Sequence, residues 1–125
     1  YDEALEFFGK VSPSPYWKNH FSFGKESKES YKYLSPMLIA NLWINTIVPM
    51  QYAYARSRGK NTLAECKAKL RATPAEHNSI LERWEGLLLP NTNAMESQAI
   101  LQLYKKYCNK HACMACQVGQ VLLKK

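Results

Sequence analysis

The stretch from Ser35 to Gly59, SPMLIANLWINTIVPMQYAYARSRG, constrains the fold more than any other. From Met37 to Ala55 it is apolar on almost every face, interrupted by Asn41, Asn45, Thr46, Pro49 and Gln51. As a helix it has little surface suited to water, so it belongs at the centre of a fold. Ser35 suits the cap of its first turn, Pro36 its first position and Gly59 its end. Pro49 removes the bond to the Asn45 carbonyl and pushes on it, which predicts a kink. Asn41 and Asn45, one helical turn apart, would share a face near that freed carbonyl, meeting it directly or through a water. About 20 apolar residues would also suffice for a membrane span. Two Asn, a Gln and a Pro within the run argue against one, so no membrane is expected.

The segments on either side read as shorter helices. Asp2 to Phe8 has its acids first and its apolar residues last, a short amphipathic helix stopped by Gly9. Ser14 and Pro15 start a turn carrying Tyr16, Trp17 and His20. Those aromatics, with Phe21 and Phe23, are expected to fold down onto the central helix; the other reading is an exposed stacking platform for nucleic-acid bases. Gly24 to Lys32 reads as a mobile polar loop. His20, without a ligand-spaced partner, reads as a partly buried hydrogen-bonding residue.

After Gly59, three pairs share one helix-start pattern: Thr62 with Glu65, Thr73 with Glu76, and Asn93 with Glu96. They predict helices over Leu63–Arg71, Pro74–Leu88 and Ala94–Tyr107, with apolar residues at helical spacing. Cys108 to Cys113 reads as a tight connection and Cys113 to Leu123 as a last helix, weakened by Gly119 and ended by Lys124 and Lys125. The expected fold is all-α, a single compact domain of about six helices around a long, Pro-kinked central helix. Residues 1–34 would form an amino-terminal arm and loop, and 35–125 the helical core of the single domain 1–125.

With 46% hydrophobic residues in 125, this chain can bury a core without staples. Lys and Arg number 17 against 10 Asp and Glu, a net charge of +7, compatible with a polyanionic partner and also with an ordinary solvated surface. Basic residues gather in two places. One is Arg56, Arg58, Lys60, Lys67, Lys69 and Arg71; the other is the tail that begins at Lys105 and Lys106 and holds five Lys and no acid. Such stripes suit the phosphate backbone of DNA or RNA. Three of the four cysteines lie between Cys108 and Cys116, unlike the scattered framework of a secreted domain, and fit a reducing cytoplasm. Tyr1, with no leader before it, reads as the cut end of a longer protein.

The most specific chemical pattern is Cys108-x4-Cys113-x2-Cys116. A C-x2-C pair and a third thiolate make three corners of a tetrahedral metal site, with His111 or Cys66 as the fourth ligand. Thiolate sets accept zinc or an iron–sulfur cluster. The same residues also read as three inert reduced thiols, or as a redox pair with Cys113 activated at a helix start and Cys116 resolving it. No serine-hydrolase elbow, phosphate-gripping glycine loop or H-E-x-x-H occurs, so no catalytic set is expected here.

The ordered segments SPYWKNHFSFGKESK, INTIVPMQYAYARSRGK, PAEHNSILERW, ESQAILQLYKKYC and C-x4-C-x2-C-x2-G together resemble the carboxyl-terminal region of a bacterial family, domain of unknown function 2851, over nearly the whole chain. The tail motif falls on Tyr107, Cys108, Cys113, Cys116 and Gly119. That resemblance implies a larger amino-terminal part similar to nucleases of the PD-(D/E)XK type, with which this chain would pack as partner and where any activity would reside. Some nucleases of that broad type staple their chain ends with one cysteine before the catalytic core and three after it. By that analogy the fourth ligand lies upstream of Tyr1, and this piece alone holds no cofactor.

Overall fold

The computed structural model of the chain describes residues 1–86 and 91–123. Among the described residues the fold is all-α apart from one small hairpin. Its spine is a continuous rod made of α2 (Pro36–Leu42), a π-helical turn (Trp43–Ile47) and α3 (Val48–Ser57). Ser35 caps it as expected, its Oγ accepting from the Leu38 N–H at 3.2 Å, with Pro36 at the first position. Pro49 is met by the π turn just before it, where the Val48 N–H donates to the Trp43 carbonyl. The wider turn absorbs the missing donor and the ring's bulk, so the helix continues. Asn45 does not serve its own freed carbonyl: its Nδ2 donates back to the Asn41 carbonyl at 3.1 Å.

One face of the rod is buried. Ile39, Trp43, Ile44 and Val48 form the core with Ala4, Cys66 and Ala94, while Met37 (62%), Met50 (65%) and Tyr54 (64%) stand exposed. The expectation of a helix wrapped on all sides is therefore corrected. The described helices cover one side only, and the apolar pattern of the other faces outward.

Against the covered face lies α1 (Asp2–Gly9), which buries Ala4 and packs Leu5 and Phe8 on the core. Beyond it, the first three residues of the expected mobile loop, Gly24 to Glu26, belong to a hairpin, while residues 27–32 stay irregular. A 3-10 turn (Pro15–Lys18) leads into β1 (His20–Ser22), which pairs antiparallel with β2 (Lys25–Glu26). Gly24, at φ +69°, supplies the backbone conformation that a side chain would resist. Its N–H donates to the Tyr16 hydroxyl at 3.0 Å. Strands of three and two residues leave no alternation to read. Tyr16, Trp17 and Phe23 pack on one another instead of on the rod, whose core draws on Tyr1, Leu5, Phe8 and Leu34. His20 is buried and hydrogen-bonded, its Nδ1 2.8 Å from both the Tyr16 carbonyl and Asn19 Oδ1.

After the rod, Gly59 turns the chain at φ +72°. Then α4 (Leu63–Arg71) follows with the expected bounds but a different cap: Asn61 Oδ1 accepts from the Leu63 N–H at 3.2 Å, and the Thr62 side chain does not cap. The strongest expected start, Thr73-Pro74, opens no helix. Thr73 is buried with its hydroxyl donating to the Lys69 carbonyl at 2.8 Å. Its own carbonyl accepts from the Ala94 N–H at 2.9 Å, and Pro74 bridges to Asn93. The Glu76 N–H, which a helix would need free, donates to Ser97 Oγ at 2.9 Å. Helix α5 (Ser79–Glu85) therefore starts later, capped by Asn78 Oδ1, which accepts from Ile80 and Leu81 at 3.1 Å each. The expected extension through residues 87 and 88 lies outside the described residues.

Helix α6 (Ala94–Lys106) obeys its sequence pattern. Asn93 Oδ1 accepts from the Glu96 N–H at 3.1 Å, and the Glu96 carboxylate reaches back to the Thr92 N–H and hydroxyl at 2.7 and 2.9 Å. Helices α5 and α6 pack together, and Leu81 of α5 and Leu101 of α6 are both buried. In place of one helix from Cys113, two short 3-10 turns (Cys108–Lys110 and Cys113–Ala115) precede α7 (Gln117–Leu123). Cys116, extended at φ −98° and ψ 125°, separates them from it. The expected last residues, 124 and 125, lie outside the described ones. No helix among the described residues is long and apolar enough to cross a membrane.

Candidate nucleic-acid interface

Helices α4 and α6 pack side by side and leave a hollow of about 740 Å³ between their outward edges. On α4, Leu63, Lys67 and Leu70 line it, spaced so that one helical face carries all three. On α6 the lining runs from Met95 through Gln98, Ala99 and Gln102 to Lys105 and Lys106, again one face; Lys110 follows from the turn beyond. The floor is aliphatic, the rim is lysine, and no acidic side chain belongs to the lining. A second hollow of about 370 Å³ shares Leu63 with the first and adds Arg56, Lys60, Tyr52 and Asn61. The two basic groups that are separate in sequence thus form one stripe, running from Arg56 and Lys60 past Lys67 to Lys105, Lys106 and Lys110.

Among the described residues the ion pair formed is Lys10 with Glu6, at 2.7 Å on α1, so the cations of the stripe carry no acidic partner there. Three expected residues stand apart from both hollows. Arg58 lies over the Tyr54 ring, its guanidinium donating to the Tyr54 hydroxyl at 3.0 Å. Lys69 donates to Gln51 Oε1 at 2.7 Å. Arg71 ends α4 beyond the lining. Within the stripe, Arg56 donates to the Tyr52 hydroxyl at 3.2 Å, which orients it along α3. Lys110 belongs to the basic tail read from the sequence but is not singled out there beside Lys105 and Lys106. Its spacing of four from Lys106 is the signal that carries the lysine face past the end of α6.

The cysteines are not gathered. All four are free thiols: Cys66 and Cys116 are buried, Cys108 is half-buried and Cys113 exposed. Cys66 belongs to the core beneath the rod, and His111 sits exposed in a left-handed turn at φ 52°. The two thiols of the C-x2-C pair take opposite environments, and among the described residues no three His, Cys, Asp or Glu side chains are close enough to hold a metal ion. As they stand, these residues do not fit a metal centre. Cys113 lies in a three-residue 3-10 turn and not at the start of α7, so a helix dipole does not address its thiol.

A family model described as protein of unknown function (DUF2851) matches residues 1–79, more than half of the chain. The chain belongs to this family. The DUF2851 match takes in α1, the hairpin, the rod and α4, and ends where α5 begins. The resemblance expected over nearly the whole chain is thereby shortened. Lys67 lies inside the match, whereas Lys105, Lys106, Lys110 and the cysteines from Cys108 to Cys116 lie beyond it. No curated protein and no solved structure matches the chain.

Proposed function

We propose that this DUF2851 chain supplies a phosphate-binding groove, the nucleic-acid-binding surface of a helical accessory domain in a bacterial protein whose amino-terminal part is nuclease-like. The observation that carries the reading is the lysine-rimmed hollow between α4 and α6, with no acid in its lining. Free ammonium groups at the edge of a concave surface neutralise backbone phosphates and release their counterions, so affinity falls steeply with salt. If Lys67, Lys105, Lys106 and Lys110 each meet one phosphate, duplex affinity should drop about 150-fold between about 50 and 200 mM salt. Fluorescence anisotropy with labelled duplex DNA tests this. Absence of binding at the lower salt removes the reading.

A second reading is supported by the outward face of the rod, where Met37, Met50 and Tyr54 stand exposed. It assigns the chain to packing against its own amino-terminal partner region, since monomers rarely leave large apolar patches bare. Co-expression of that region with this chain as separate polypeptides should give a stable complex, and failure to associate contradicts it.

A further inference from the structure

The arm between residues 14 and 33 carries a feature that the lysine groove does not use. Its exposed large apolar side chains are all aromatic: Tyr16 is 41% exposed, Phe21 73%, Phe23 84%, Tyr31 89% and Tyr33 63%. The rings are set on a built support. The Lys32 ammonium donates to the Trp17 carbonyl at 2.6 Å and to the His20 carbonyl, and lies 3.6 Å from the centre of the Phe21 ring. That one side chain ties the segment bearing Tyr31 and Tyr33 to the hairpin bearing Phe21. Ser27 and Ser30 add backbone bonds to Asn19 and Lys18 at 2.7 and 2.9 Å. Phe23 packs against the Trp17 edge at 5.0 Å, and Tyr16 stacks on His20 at 4.0 Å.

The composition of the patch points to what covers it. Protein interfaces rich in aromatics also favour Arg and Met and are depleted in Lys. Residues 14–33 hold Lys18, Lys25, Lys28 and Lys32 against Glu26 and Glu29, a net positive balance, and contain neither Arg nor Met. Flat rings interleaved with ammonium groups match a single strand, whose bases offer π-faces while its phosphates offer negative charge. A duplex keeps its bases stacked and cannot offer them.

We propose that residues 14–33 form a base-stacking platform for single-stranded nucleic acid, with Phe21, Phe23, Tyr31 and Tyr33 receiving bases and Lys18, Lys25 and Lys28 meeting phosphates. The platform is separate from the groove and does not depend on it.

The test compares three labelled probes on the full chain by anisotropy: oligothymidylate, an abasic deoxyribose-phosphate strand of equal length, and duplex DNA. Oligothymidylate should bind about 10-fold or more tighter than the abasic strand, and Tyr31→Ala with Tyr33→Ala should weaken it by at least about 5-fold per ring. Abasic and duplex binding should not change in that variant. Both tyrosines stand outside the core, and Tyr31→Leu with Tyr33→Leu keeps apolar bulk while removing the planar face, so it should lose the same preference. Lys67→Glu with Lys105→Glu reports on the groove separately, through duplex binding. Equal affinity for oligothymidylate and the abasic strand overturns the platform, as does full binding by the leucine variant. Loss of association with the amino-terminal region in the tyrosine variants, with oligothymidylate binding untouched, makes the patch a protein interface and also overturns it.

Discussion

Ser97 of α6 accepts a hydrogen bond from the backbone N–H of Glu76 at 2.9 Å, and that bond decides where the preceding helix begins. Ser97 is fully buried, and its hydroxyl lies 2.7 Å from Asn91 Oδ1 as donor. Glu76 in turn accepts through Oε1 from Gln98, whose amide also lies 3.4 Å from Asn45 Oδ1 on the rod. The start of α6, the segment before α5 and the rod are thus joined by polar groups in a region where apolar contact alone would leave register free. Ser97→Ala leaves the half-buried Glu76 N–H without its partner and should cost about 1–3 kcal/mol. Urea midpoints with an unchanged m-value check it; a shift below about 0.5 kcal/mol would mean that water replaces the hydroxyl.

Gly119 is fixed by its neighbour. A Cβ there would stand 2.4 Å from the Cys113 carbonyl oxygen, a backbone atom that no rotamer change can move. Gly119→Ala should therefore displace α7 from the 3-10 turn and cost about 1–3 kcal/mol by overpacking. Faster amide exchange over residues 113–123, with protection of the rod retained, is the expected signature.

The Glu96 carboxyl is held below its ordinary value of 4.5, first by the Thr92 backbone N–H and then by the Thr92 hydroxyl. The folded state thus favours the ionised form. Its contribution is complete above the ordinary carboxylate value and fades as pH falls through the lower folded value. Stability measured against pH should show a shallower acid limb in Glu96→Gln than in the parent. Identical limbs would show that this cap does not contribute to the pH dependence.

Leu81 is fully buried between α5 and its neighbours. Leu81→Ala should cost about 2–5 kcal/mol, the range for a cavity in a core that relaxes only in part. Thermal unfolding should fall accordingly, and a loss under about 1 kcal/mol would mean that the site collapses to fill the gap.

Local chemistry was legible and long-range competition was not. Asn93 and Glu96 cap α6 from within four residues, and Leu63–Arg71 is bounded as its pattern predicts. Thr73 and Glu76 follow the same pattern, yet the Thr73 hydroxyl turns back to the Lys69 carbonyl four residues earlier, and the Glu76 N–H is taken by Ser97, which only tertiary packing brings near. The rod's centrality was readable from its apolar run, but its exposed side was not, because periodicity says nothing about how many neighbours arrive. The basic groups were visible in sequence as two clusters; their meeting across Leu63 and Leu70 depends on α4 lying against α6. The hairpin, with strands of three and two residues, was too short to announce itself.

The most direct test of the groove is the salt dependence of duplex binding in the parent and in Lys67→Gln with Lys105→Gln, two lysines on different helices that line one hollow. With four lysines each meeting a phosphate, the slope of log affinity against log salt should be about −3.6 in the parent and about −1.8 in the double variant. An unchanged slope in the double variant would contradict the assignment of the groove to phosphate binding.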